Sequence, residues 1–193
     1  MSFYHIAKNV VWYISKPLFR MEVIGAENIP KSGPVIICSN HISNFDPPMV
    51  GGSAPRVVHF LAKEELFEKK WLKPILTNVN AFPIKRGMSD RNALRKALGL
   101  LKEGKTLGLF PEGTRSKSME LGKGLSGVGF FALRSEATVV PCAIIGPYKI
   151  GRKLKIVYGK PVNMKQLRED KVSAKEATDH IMENIRKIIE KYQ

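Results

Sequence analysis

Acidic residues are scarce in this chain, with 17 Asp and Glu against 32 Lys and Arg over 193 residues and a formal net charge of +15. That balance calls for an anionic partner: nucleic acid, an anionic membrane or phosphorylated small molecules. Composition alone does not choose among them. Cysteine is also sparse. Cys38 and Cys142 sit inside the apolar runs 35–38 and 139–145. They read as reduced core thiols of a cytosolic protein, with no metal-ligand spacing between them. No further His or Cys stands at ligand spacing, so no metal site is expected. No stretch approaches the roughly 18 apolar residues that span a bilayer. A clean signal peptide is missing too, since Lys8 and Asn9 interrupt the first apolar stretch and no small-residue cleavage site follows. No repeat, low-complexity tract or linker divides the chain. One domain of this size buries roughly 70% of its unfolded surface and exposes about 9,000 Å².

What is present is a globular composition, 44% hydrophobic and 25% charged. Apolar runs at 35–39, 57–62, 106–110, 138–145 and 154–158 read as strands. Helical periodicity lies between them. After Ser89, the residues Ala93, Leu94, Ala97, Leu98 and Leu101 recur on one face and Gly104 closes the helix. A second helix is expected over 123–133. A third opens with a capping box, Ser173 to Glu176, and carries Ala177, Ile181, Ile185, Ile188 and Ile189 on one side. Strands alternating with helices predict an α/β fold. The expectation is a single domain with a central mixed, partly parallel sheet flanked by helices. Residues 1–20 stand apart from the body at 21–193. Phe3, Tyr4, Ile6, Trp12, Tyr13, Ile14 and Phe19 are mixed there with His5, Lys8, Lys16 and Arg20. Aromatics beside cations suit an amphipathic helix lying at a membrane interface; a helix packed on the protein's own core is the alternative.

Four segments carry polar chemistry. Directly after the first strand comes Asn40-His41-Ile42-Ser43-Asn44-Phe45-Asp46-Pro47-Pro48. On a regular helix His41 and Asp46 lie about 140° apart and cannot meet. The Pro pair makes Asp46 a plausible N-cap, so 41–45 form a turn at a strand's carboxyl end, where open α/β sheets place ligands. There Asp46 either fixes His41 as a general base or merely caps a helix. Phe82-Pro83-Ile84-Lys85-Arg86-Gly87 places two cations before a helix start, which makes an anion site or a solvated basic loop. Phe110-Pro111-Glu112-Gly113-Thr114-Arg115-Ser116 follows another strand. It offers a tight turn plus a guanidinium fork, or a polar turn in which Glu112 and Arg115 pair with each other. Pro141 lies inside the apolar run 138–145, which argues for a sheet edge or a bulge.

In this order the four segments resemble the blocks of the glycerolipid acyltransferase family, especially its short bacterial members that act on 1-acyl-glycerol-3-phosphate. His41 and Asp46 match the family's His and Asp. The stretch 82–87 matches the second block, with Arg86 at the substrate-phosphate position. The stretch 110–116 matches the third block throughout, and Pro141 matches the fourth. Departures are Asn78 and Asn80 where Gly is frequent, and Cys142 where an aliphatic residue is usual.

The resemblance implies acyl transfer from acyl-CoA or acyl carrier protein to the sn-2 hydroxyl of a lysophosphatidate. Glycerol-3-phosphate or another lysolipid is the related alternative. His41 is then the base and Asp46 its orienting partner. Arg86 and Arg115 hold the acceptor phosphate. Glu112, Gly113 and Thr114 shape that pocket, with Glu112 binding glycerol hydroxyls or fixing Arg115, and Pro141 lines the acyl or acceptor pocket. No tightly bound cofactor is implied. No Ser or Cys occupies a nucleophile motif, so the transfer is direct. A nucleic-acid-binding module is the rival from another class. The basic blocks, net +5 over 81–120 and +6 over 149–193, lack an aromatic stacking pattern and a binding motif. An anionic membrane fits them better, and predicts a cytoplasmic protein attached peripherally to the inner face of the cell membrane.

Overall fold

A computed structural model describes residues 3–85, 90–116 and 118–193. The chain forms α1 (Phe3–Leu18), β1 (Glu22–Ile24), β2 (Val35–Ser39), α2 (Asp46–Ser53), β3 (Val58–Lys63), α3 (Glu65–Glu68), α4 (Leu72–Asn78), β4 (Ala81–Ile84), α5 (Arg91–Lys102), β5 (Thr106–Leu109), α6 (Gly127–Arg134), β6 (Thr138–Ile145), β7 (Lys155–Tyr158), α7 (Met164–Glu169) and α8 (Ala174–Tyr192). The expected single α/β domain is what forms. Its seven strands lie in the order β1-β7-β6-β2-β5-β3-β4. The five from β6 to β4 are parallel, β7 runs antiparallel to β6, and β1 is parallel to β7.

Every residue of β2 and β5 is buried, as expected of central parallel strands covered on both faces. One core joins Ile36, Cys38, Leu107 and Leu109 to α5, α6 and α8. The other joins Val35, Ile37, Val140, Cys142 and Ile144 to α2 and the inner side of α1. Cys38 and Cys142 therefore point to opposite faces of the sheet, both as free thiols. Beside β2 the chain changes direction. The connection through α2 leads across β5 to β3, and the connection through α6 leads back across β2 to β6. That leaves a crevice at the carboxyl ends of β2 and β5.

Several boundaries differ from the sequence reading. β1 and β4 go unread because they are short edge strands, and Pro83 interrupts the apolar signal of β4; an edge tolerates its missing N–H. The cap of α5 is Asp90, which accepts from the Ala93 amide. α6 begins at Gly127 and not at 123, because the preceding residues are spent on loop contacts. The amide of Gly122 donates to Glu112 and that of Leu125 to the Pro111 carbonyl. Pro141 lies on an interior strand, not an edge. It stands at a bulge: between the pairs Cys142–Tyr158 and Val139–Val162, three steps along β6 face four along its neighbour. The capping box of α8 forms as read, with Ser173 and Glu176 each accepting from the other's backbone amide.

Helix α1 uses both of its faces. Its inner side buries Tyr4 and Ser15 and packs Val11 and Trp12 against the second core. The Tyr4 hydroxyl accepts from the Val58 amide at 3.0 Å, and the Lys8 ammonium donates to the Ala54 carbonyl at the end of α2. The outer side shows Phe3, Ile6, Val10, Tyr13 and Ile14 to solvent. Among the described residues no helix is long and apolar enough to cross a membrane. The surface totals 11,006 Å², above the roughly 9,000 Å² typical of this mass. The outer side of α1, and the α3–α4 segment with no buried residue, add to that excess.

Candidate active site

β2 delivers Asn40 and His41 to the crevice. The Asn40 amide group extends the ladder beyond Ser39, accepting from the Ile144 amide at 2.7 Å and donating to its carbonyl at 2.9 Å. That clamp fixes the backbone just before His41. The chain then turns, and Asp46 enters at the start of α2, wholly buried. Asp46 does not cap the helix: Phe45 occupies the cap position without a side-chain bond. The carboxylate turns back instead. Its Oδ2 accepts from His41 Nδ1 at 2.7 Å, from the Ile42 amide at 2.6 Å and from the Ser43 amide at 2.7 Å. Its Oδ1 accepts from the Tyr148 hydroxyl at 2.7 Å. Backbone amides only donate, so Oδ2 is an acceptor and His41 donates through Nδ1. Nε2 is then the basic nitrogen. The His41 side chain keeps 11% exposure. The Phe110 ring stacks on the imidazole at 4.2 Å and is itself stacked on Phe60 at 6.0 Å.

β5, beside β2, delivers the second turn. Pro111 and Glu112 are buried there, and Gly113 supplies the left-handed φ of 67° that the turn requires. Glu112 points inward. Its Oε1 accepts from the His41 amide at 2.8 Å and its Oε2 from the Gly122 amide at 2.9 Å. The Ser116 amide donates to the His41 carbonyl at 2.8 Å. Glu112 thus braces the His41 turn against Gly122 and makes no ion pair with Arg115. Thr114 and Arg115 are exposed at the crevice, and Arg115 has no ion-pair partner among the described residues. Arg86 lies outside the described residues. Pro141 is buried in β6, and its ring closes with Ile188 of α8 over Gly159. It therefore packs on the α8 side of the sheet, away from the His41 imidazole. No group of three or more His, Cys, Asp or Glu that could hold a metal ion is found among the described residues.

Three contributors escape a reading of the sequence. Asn40 precedes the His and gives no sign of its clamp. Glu112 belongs to a visible motif, but its partners are distant backbone amides. Tyr148 lies outside all four motifs.

A family model described as Acyltransferase matches residues 20–145. The chain belongs to the acyltransferase family. The matched stretch holds His41, Asp46, Arg86, Glu112 to Arg115 and Pro141. Among individual relatives, the chain is 33% identical over 151 residues to the 1-acyl-sn-glycerol-3-phosphate acyltransferase of Bacillus subtilis, covering 74% of each chain. It is 31% identical over 125 residues to that of Borreliella burgdorferi, covering 63% of this chain and 50% of the relative. The crystal structure of the 1-acyl-sn-glycerophosphate (LPA) acyltransferase PlsC from Thermotoga maritima superposes with a TM-score of 0.73. Its sequence is 26% identical, and the match covers 98% of this chain and 82% of that one. An acyltransferase of this family thus carries a His–Asp pair at the crevice of a mixed α/β sheet.

Proposed function

We propose that the protein transfers a fatty acyl group from acyl-CoA or acyl carrier protein to the sn-2 hydroxyl of 1-acyl-sn-glycerol-3-phosphate, giving phosphatidic acid. The observation that carries this reading is the His41–Asp46 contact of 2.7 Å, which occupies Nδ1 and leaves Nε2 as the basic nitrogen. The names of the relatives support the choice of acceptor.

As the acceptor oxygen attacks the thioester carbonyl, His41 Nε2 takes the hydroxyl proton, and Asp46 stabilises the resulting imidazolium. The tetrahedral oxyanion collapses, the carbon–sulfur bond breaks, and the thiolate leaves to recover the proton. A thiolate is a good leaving group, so no second acid is required. Arg115, exposed and without an ion-pair partner among the described residues, meets the acceptor phosphate beside Thr114, and Arg86 joins it there. Both thioester donors are anionic and suit a chain of net charge +15. The exposed stripe of α1, with the basic blocks, attaches the protein to an anionic membrane surface on the cytoplasmic side; the apolar side chains enter the interface while cations meet the headgroups.

Thiol release with lysophosphatidate and acyl-CoA tests the reaction. His41→Ala should lower it at least about a hundredfold, and retention of most activity would refute the mechanism. Arg115→Ala and Arg86→Ala should mainly raise KM for the phosphorylated acceptor. An unchanged KM removes that arginine from the phosphate site.

A further inference from the structure

We propose that Tyr148 is a positioning residue for the reaction: its hydroxyl holds the Asp46 carboxylate in the orientation that fixes the His41 imidazole. This rests on the reading of His41 as the general base. Asp46 is wholly buried, and its two oxygens are held in different ways. Oδ2 takes its three bonds from its own turn, from His41, Ile42 and Ser43. Oδ1 has one donor among the described residues, the Tyr148 hydroxyl at 2.7 Å, 102 positions along the chain. Bonds to Oδ2 alone leave the carboxylate free to swing about that oxygen. A donor on Oδ1 fixes the plane of the group, and through it the imidazole.

Tyr148 is itself held. It sits in the loop between β6 and β7, where Phe19 meets its ring edge-on at 5.6 Å and Phe45 lies at 6.0 Å. The Gly151 amide donates to the Leu18 carbonyl at 2.9 Å and the Leu154 amide to the Phe19 carbonyl at 3.0 Å. The segment leaving α1 therefore seats the loop that carries the hydroxyl. Burial, then the Asp46 charge, push the Tyr148 hydroxyl far above its ordinary range, so it remains a donor wherever the enzyme works. Tyr148 lies beyond the matched family stretch, which ends at residue 145.

The titratable groups facing this assembly are few. His41 and Asp46 form it. Glu112 faces it from the β5 turn through the His41 amide. The Cys142 thiol faces it from β6 and is pushed up to about 12 by burial, so it stays neutral. Lys8 binds α2 only at the far end of the helix. The hydroxyl dipole offsets part of the Asp46 charge as His41 senses it. Without that dipole the carboxylate stabilises a protonated imidazole more strongly.

The test compares kcat/KM against pH for the wild type, Tyr148→Phe and Tyr158→Phe. Tyr148→Phe keeps the ring and its packing. It should lose about tenfold in kcat/KM at the plateau, as expected for a loosened base. Its acid limb should move upward by about half a pH unit, because an offsetting dipole on the carboxylate is gone. Tyr158 is the control. Its buried hydroxyl also braces α2, through the Val50 carbonyl at 3.1 Å and Ser53 at 2.7 Å, without touching Asp46, so Tyr158→Phe should leave the limb in place. A wild-type limb and plateau for Tyr148→Phe, whatever its Tm, would overturn the proposal. If Tyr148→Phe does not fold, Phe19→Ala keeps the hydroxyl and loosens the ring. It should shift the limb the same way by less, and an unmoved limb overturns the proposal equally. Failure of the general-base reading appears separately, as activity retained in His41→Ala.

Discussion

Replacing Glu112 by Gln exchanges one carboxylate oxygen for an amide group of nearly the same shape. Glu112 is 8% exposed, and its two oxygens accept from the amides of His41 and Gly122 at 2.8 and 2.9 Å. A glutamine can still accept one of these bonds through its carbonyl. Its NH₂ must then face the other N–H, donor against donor. The change removes a charge-assisted bond worth about 1.5–3 kcal/mol and leaves a buried donor unsatisfied, so about 3 kcal/mol is a fair total. A chain of 193 residues unfolds with an entropy of about 0.4 kcal/mol/K, so Tm should fall by roughly 7 °C. Because one of the two partners is the backbone of the base itself, kcat should fall as well. Calorimetric or dichroism melts read the first effect, and thiol release at a temperature where both proteins are folded reads the second. The opposite pattern would refute the bracing role: an unchanged Tm with a selective rise in KM for the acceptor, as expected if Glu112 met substrate hydroxyls.

Three further outcomes follow from the packing. Gly108→Ala sets a Cβ 2.2 Å from the Phe60 ring, an overpacking that costs about 1–3 kcal/mol; Phe60 stacks on Phe110 and Phe110 on His41, so kcat should drop with Tm, and a wild-type melt would show that the strand and ring separate freely. Arg56 donates to the carbonyls of Pro30, Gly33 and Gly104 at 3.0, 2.8 and 2.6 Å, at the amino end of the sheet; Arg56→Lys cannot span all three and should lower Tm while leaving the acceptor KM unchanged. The Glu176 carboxyl is held below its ordinary 4.5, first by the Ser173 amide; its contribution is therefore present above that pH and is lost as pH falls through the depressed value. Urea midpoints of the wild type and Glu176→Gln should accordingly differ at pH 6 and converge as pH falls through the depressed value, and a constant gap would contradict the capping role.

The sequence by itself determined what depends on near neighbours and on composition. A charge of +15, apolar runs alternating with helical periods, and the Ser173–Glu176 box were each readable, because their signal lies within a few positions. The His41–Asp46 pair belongs to the same class: five residues and a Pro pair leave the chain little choice but to turn. Of the two roles left open there for Asp46, the carboxylate took the first: it turned back to the His41 turn and does not cap α2. The amphipathic start was legible as two competing readings; the fold packs one face of α1 on the second core and leaves apolar side chains of the other exposed. Tertiary structure alone decided the rest of the site. Glu112 reaches the His41 amide across 71 positions, Tyr148 reaches Asp46 across 102, and Asn40 reaches Ile144 across 104. Those contacts follow from which strands lie side by side, β5 and β6 flanking β2. Strand order is set by burying two apolar faces at once, a property of the whole chain that no single segment carries.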